Sequence, residues 1–362
     1  MTTQGPRRIF TPMHPLHTGH DTLPQLPRLL ANLGLSGSAF VVSDEHVLPR
    51  YGEHVRSLLE RADWRVATRA VPAGEASKSL LCAADLWDWL ASERAERRDT
   101  VIALGGGVVG DLAGWVAASY LRGLNVVQIP TTLLAQVDAS IGGKTGIDHP
   151  RAKNLIGAIY PPRLTFVDTS FLSSLPEREL RSGWAEVVKT ALIGDADLFA
   201  YLQANVRTLT TLEPASLAHV VGRCAAIKLA VVTEDPTEQG RRVILNYGHT
   251  IGHAIEAAAG YGMMTHGEAV AVGMRGAALI ATEMGLLDPV IAAQQAETLA
   301  SYGLPERAPA VEPERVMEAM RLDKKVISGG QRWVLLRDVG ETEVCTDVST
   351  TLVQRVLEEC IA

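Results

Sequence analysis

The sequence predicts an α/β domain over residues 1–174 joined to an all-α domain over residues 175–362, with a ligand site in the cleft between them. Three observations carry that expectation. Short β-branched runs alternate with amphipathic segments through the first half, the pattern of a mostly parallel sheet with helices on its faces. Near Ser173 this alternation gives way to helical periodicity. At 362 residues the chain also exceeds what one hydrophobic core usually organises.

Taken in order, the strand candidates are 39–43 (AFVVS), 65–71, 100–104 (TVIAL), 126–130 (VVQIP) and 164–168 (LTFVD), each closed by polar or turn residues. Helical stretches at 47–62, 77–95 and 108–121 lie between them. Ser174-Leu-Pro-Glu177 then reads as a helix start, with serine as cap and proline in the first turn. Helices follow at 178–194, 215–233, 247–259, 267–284, 290–301 and 312–321, and 333–336 (WVLL) reads as a returning strand.

Apolar residues make up 47% of the chain and charged residues 21%, too apolar for a disordered polymer and too charged for a membrane-embedded one. A formal charge of -7 without a basic stripe argues against a nucleic-acid partner. Cys82, Cys224, Cys345 and Cys360 form no CxxC pair, so neither a zinc ribbon nor a disulfide framework is expected, and a reducing cytosol fits. Arg7 and Arg8 are followed by no apolar export segment. Asp111, Arg122 and Asp138 interrupt the uncharged runs before the roughly 20 residues of a spanning helix, so a soluble, cytoplasmic protein is expected.

Of 34 basic residues only seven are lysine: Lys78, Lys144, Lys153, Lys189, Lys228, Lys324 and Lys325. A compact, titratable ammonium fits tight polar pockets that a guanidinium fork does not, so several of these are expected to line one site.

Gly105-Gly-Gly107-Val-Val-Gly110-Asp111 follows a strand candidate and opens a helix candidate, the context in which GxGxxG marks a Rossmann-like dinucleotide site. Two strand candidates precede it, and no carboxylate ends a strand about 20 residues on, so a tight structural turn stays open as the alternative. Asp44, closing an earlier strand, is placed to accept ribose hydroxyls. Pro72-Ala-Gly-Glu-Ala-Ser-Lys78 is a capped helix start or, beside the glycine loop, a ribose and phosphate contact. The segment 130–146 holds paired threonines, Asp138 and a Gly-Gly-Lys ending at Lys144, and Lys153 and Asn154 follow. That density of polar groups suits a polyhydroxylated, phosphorylated substrate; the P-loop spacing is absent.

In the second half His249 and His253 stand at i and i+4, with Glu256 one turn on, His266-Gly-Glu268 opening the next helix, and Glu186 and Lys189 on an earlier one. Nitrogen and oxygen donors with an open position describe a catalytic metal site of the zinc type. Spacing alone nominates His249 and His253 as the paired ligands.

The blocks GGGVVGDLAG, IPTTLLAQVDASIGGKTGIDHP, KNLIGAIYPP, LPERELRSGWAEVVK, NYGHTIGHAIE, HGEAV and DKKV occur in this order. With them the chain resembles the 3-dehydroquinate synthases of the shikimate pathway over roughly residues 38–340. The resemblance implies a dehydroquinate synthase-like fold and a zinc or cobalt ion on Glu186, His249 and His266, with His253 beside it handling protons. It implies NAD against Asp44, the turn Ala73, Gly74, Glu75, Ala76, Ser77 and Lys78, the loop Gly107, Val108, Val109, Gly110 and Asp111, and Thr131 and Thr132. Lys144, Lys153, Phe171, Leu172, Ser173 and Ser174 would lie near the other end of NAD. A phosphorylated sugar acid would be gripped by Asp138, Lys144, Asn154, Lys189, Lys228, Arg242, Asn246, His253 and Lys325, with Arg122 reaching a neighbouring subunit in a homodimer.

The implied reaction is transient oxidation of the substrate by NAD, phosphate elimination, re-reduction, ring opening and aldol closure. Ala73, Trp184, Thr190-Ala191 and Tyr247 depart from the family pattern. They leave open relatives acting on other sugar phosphates, such as aminodehydroquinate or 2-deoxy-scyllo-inosose synthases. A metal-dependent polyol dehydrogenase and a catalytically dead NAD sensor are the further rivals.

Overall fold

The computed structural model describes residues 15–361 apart from 261, 310 and 327–331, and the side chains of 322–326 are also outside the description. Arg7 and Arg8 lie outside the described residues. Six parallel strands form the sheet: β1 (Leu16–Gly19), β2 (Ser38–Asp44), β3 (Arg65–Val71), β4 (Thr100–Gly105), β5 (Asn125–Pro130) and, after a separate hairpin, β8 (Leu164–Asp168). Their order is β1-β8-β5-β4-β2-β3.

Side-chain alternation divides the strands between two apolar layers. Phe40, Val42, Val101 and Ala103 face α3 (Leu80–Ser92) and α4 (Gly107–Ser119). Val41, Ile102, Leu104 and Ile129 face α1 (Leu26–Asn32) and α2 (Glu53–Glu60). Burial on both faces explains why TVIAL reads as an unbroken apolar run. The chain leaves β2 for β3 at one edge, returns across β2 to β4, then proceeds to β5 and β8 on the other side. The crevice at the carboxyl ends of β2 and β4 is therefore the topological switch point, where sheets of this kind bind ligands.

Between β5 and β8 the chain forms a wide turn at Ala135–Ala139 and an antiparallel hairpin, β6 (Lys144–His149) with β7 (Ala152–Ile159). Sequence periodicity does not mark the hairpin, since Gly146 opposes Gly157 in it. Neither residue carries a side chain, so no alternation is written there.

The second half contains α5 (Glu177–Gly194), α6 (Ala196–Ala204), α7 (Val206–Thr210), α8 (Pro214–Glu234), α9 (His249–Ala259), α10 (His266–Glu283), α11 (Pro289–Ser301), α12 (Pro313–Val326) and α13 (Thr350–Cys360). Strands β9 (Trp333–Asp338) and β10 (Glu341–Cys345) pair antiparallel. The core of these helices takes in Leu133, Val137, Val167 and Leu172 from the sheet half. Trp184 and Tyr247 are buried in it, Trp184 against Tyr302 with ring centroids 4.8 Å apart. By length and composition α8 could cross a membrane, but in the fold it is a packed helix burying Cys224 and Lys228.

Three expected helix starts move, the first from 77 to Leu80, where Ser79 caps α3. Ser174 ends a short turn, Thr169–Ser174, and Leu175 is extended, so α5 begins at Glu177 behind Pro176 without a side-chain cap. The Ser174 hydroxyl instead accepts from Tyr51 Oη at 2.7 Å. Gly248 has φ +78°, a left-handed conformation that interrupts a helix, so α9 starts at His249 rather than at 247.

Candidate active site

Three helices converge because glycines let their backbones touch. A Cβ at Gly252 on α9 would stand 3.1 Å from the backbone of Ala269 on α10, and one at Gly267 would collide with the Ser182 backbone on α5. The Gly267 N–H donates to Ser182 Oγ at 3.0 Å, and a reciprocal Thr265–Glu268 capping box fixes the start of α10. This contact brings His249, at the start of α9, and His266, at the start of α10, to Glu186 in the middle of α5.

His249 Nε2 and His266 Nε2 each lie 3.6 Å from Glu186 Oε1. Donors bound to one tetrahedral ion at about 2.0–2.2 Å stand about 3.3–3.6 Å apart, so the spacing fits a metal. Glu186 is fully buried and neither oxygen meets a hydrogen-bond donor in good geometry, although the Lys189 ammonium lies against Oε2 as an ion pair. A buried carboxylate short of donors is what an ion at this position would complete.

Burial alone would raise the Glu186 carboxyl, but Lys189, ahead of the two imidazoles, holds it well below its usual range. Burial and then Lys189 hold His249 well below the usual histidine value, leaving it neutral. Its Nδ1 stands 3.1 Å from the Tyr247 carbonyl, which accepts a hydrogen bond from Nδ1–H and leaves Nε2 with its lone pair toward Glu186. His253, the partner nominated by spacing, is exposed. Its ring centroid is 5.0 Å from that of His249, and its metal-capable neighbours are Glu256 and His266 rather than Glu186.

Next to Glu186, Lys228 Nζ donates to Asp138 Oδ1 and to the Asp138 carbonyl, both at 2.6 Å. Lys189 and Lys228 are 1% and 7% exposed, so two scarce lysines are buried beside one pair of carboxylates. Burial pushes Lys228 below the usual lysine value despite Asp138, whereas Glu186 and Asp138 outweigh burial at Lys189 and raise it.

Lys144 is different: its side chain is 59% exposed and pairs with Glu238, whose other oxygen accepts from Asn246 Nδ2 at 2.9 Å. Arg242 is buried against Gly142, where a Cβ would come within 2.8 Å of Nη2. Asp235 accepts backbone N–H groups of Gln239, Gly240 and Arg242 and so shapes the loop carrying Glu238 and Arg242. Glu238 and Asp235 carry no signal in the sequence, because they lie in an irregular segment between helices without periodicity.

At the switch point Gly105 ends β4 and Gly106 caps α4 with no side-chain bond, leaving the first amides of the helix for an anion. Asp44 ends β2, and its Oδ1 already accepts from the His46 and Val47 amides. Thr131 Oγ1 is buried without a partner, and Thr132 Oγ1 accepts from the Ala135 amide at 3.1 Å. Lys78 Nζ donates to Asp111 Oδ2 at 2.9 Å, pairs with Asn154, and lies 3.6 Å from Glu75. An uncapped helix start, an orphaned hydroxyl and a strand-end carboxylate suit a dinucleotide.

Not every expected residue joins these groups. Val109, Phe171 and Leu172 are buried in the cores, and Ser173 Oγ donates to the Ser170 carbonyl. Arg122 is exposed beyond the far end of α4, about 20 Å of helix from the glycine loop. The Lys325 side chain lies outside the described residues.

Known proteins of similar sequence and structure share this arrangement's framework. The models 3-dehydroquinate synthase N-terminal and 3-dehydroquinate synthase C-terminal match residues 68–182 and 183–326. A 3-dehydroquinate synthase from Nostoc punctiforme is 44% identical over 341 residues, 93% of this chain and 94% of that protein. A 2-epi-5-epi-valiolone synthase from Streptomyces hygroscopicus, with NAD+ and Zn2+ bound, superposes with a TM-score of 0.90 at 28% identity, covering 99% of both chains. A 2-deoxy-scyllo-inosose synthase complexed with carbaglucose-6-phosphate, NAD+ and Co2+ gives 0.86 at 29% identity, covering 96% of both.

Proposed function

Because the chain belongs to the 3-dehydroquinate synthase family, we propose that its cleft converts 3-deoxy-D-arabino-heptulosonate 7-phosphate to 3-dehydroquinate and inorganic phosphate. It is a lyase that uses NAD and a divalent metal, zinc or cobalt. The observation that carries the assignment of the site is the convergence of Glu186, His249 and His266 on one point, their donor atoms all within 4.8 Å of one another.

When bound, these groups supply a hydride acceptor that later becomes a donor and a Lewis acid for neighbouring hydroxyls. Glu186, His249 and His266 would hold the metal; Asp44, the Gly74–Lys78 turn, the Gly107–Asp111 helix start and Thr131 would hold NAD. Lys189, Lys228 and Arg242 are buried cations that orient the substrate's anionic ends without reorganising. Asp138 accepts hydrogen bonds at their centre, with Lys144, Asn154 and Asn246 at the rim. His253, exposed beside the rings of His249 and His266, handles protons at ring opening.

Supplying the heptulosonate phosphate, NAD and Co2+ to the protein tests the whole assignment. The expected result is one phosphate and one carbocyclic product per substrate with no net NADH. Stoichiometric NADH without phosphate release would make the protein a polyol dehydrogenase instead.

A homodimer is supported by exposed apolar side chains on neighbouring elements of the sheet half: Leu80 and Leu81 on α3, Leu155 and Ile159 on β7, and Leu121 beside Arg122. Leu81, 83% exposed, would be covered by the second copy. Leu81→Asp is expected to shift sedimentation from dimer to monomer and to lower turnover if Arg122 serves the neighbouring site. Unchanged sedimentation would remove this face from the interface.

A further inference from the structure

We propose that Glu256 is a positioning residue that sets the tautomer and orientation of His266. The inference rests on the assignment of Glu186, His249 and His266 as the metal's holders and extends it outward by one side chain.

The two nitrogens of His266 meet different carboxylates: Nε2 lies 3.6 Å from Glu186 Oε1, and Nδ1 lies 3.1 Å from Glu256 Oε2. An ionised carboxylate only accepts, so Glu256 holds a proton on Nδ1 and leaves Nε2 as the nitrogen that a metal beside Glu186 would take. His249 is treated the same way by the Tyr247 carbonyl, 3.1 Å from its own Nδ1. Both imidazoles thus have one nitrogen tied to an acceptor and the other aimed at the same Glu186 oxygen. Glu256 is itself mostly buried, and Lys153 Nζ lies 4.0 Å from its Oε1 and 3.8 Å from Glu75 on the cofactor-side turn.

The same carboxylate also stands near His253 and His266 in a group of atoms able to hold an ion. A hydrogen-bonding role and a ligating role therefore make different forecasts.

The test is a Co2+ titration of the metal-free, full-length protein, read by visible absorption and chelator competition without substrate. Glu256→Ala is expected to weaken Co2+ binding by about 10- to 100-fold. Glu256→Gln, whose amide oxygen still accepts from Nδ1–H, should restore affinity to within a few-fold, with the Co2+ bands unmoved. Melting of the metal-free protein and NAD affinity should be unchanged in both variants. Wild-type Co2+ affinity in Glu256→Ala overturns the proposal, as does an equal drop in metal-free melting. Altered bands in Glu256→Gln would make Glu256 a ligand and overturn it too. His249→Ala is the control: if it also binds Co2+ normally, the metal assignment itself has failed and the proposal falls with it.

Discussion

His249→Ala is expected to abolish metal binding and turnover together, while His253→Ala keeps the metal and only slows the reaction. The two histidines are one helical turn apart and equally plausible as ligands by spacing. In the fold, His249 Nε2 is 3.6 Å from a buried Glu186 oxygen, and His253 is exposed at the edge of the cluster. Structural zinc sites with four donors bind with about 10–16 kcal/mol, so one donor is worth about 3 kcal/mol, or more than about a hundredfold in affinity. Metal content after dialysis and phosphate release measure both effects. Equal metal loss in the two variants would restore the i, i+4 pair as the ligands.

Lys189→Met should destabilise the metal-free protein far more than the metal-loaded one. Lys189 is buried between Glu186, its ion-pair partner, and Asp138. Removing one side of a buried ion pair leaves an uncompensated charge, at a cost of about 3–5 kcal/mol. A divalent ion held by Glu186 would neutralise that carboxylate again, so binding should recover part of the loss through linkage. Turnover should still fall by about 10²-fold or more, since a preorganised cation is gone. Thermal melting with and without Co2+ reads the difference. The same loss in both states would place the ion away from Glu186.

Much of the fold is legible along the chain. The five strand candidates of the first half are found within one residue at each end: β2, β4, β5 and β8 are central parallel strands written as nearly continuous apolar runs, and β3, at the sheet edge, alternates instead. The hairpin at 144–159 is not legible: its glycines and small residues write no periodicity, and it forms because Gly146 and Gly157 allow two backbones to pair closely. The scarcity of lysine was informative at Lys78, Lys189 and Lys228, which are buried beside carboxylates. It was not at Lys144, which is exposed and held by a loop glutamate.

What the sequence determined by itself is the set of local chemistries: strand and helix periods, a glycine loop at a helix start, and a family resemblance carried by ordered blocks. Which groups meet is a tertiary decision. Glu186 and His266 are 80 residues apart and share one buried point only because glycines on α9 and α10 remove the side chains that would hold those helices and α5 apart. Periodicity records how a segment faces the core, but close contact between backbones depends on the surfaces of other segments, which no local pattern encodes.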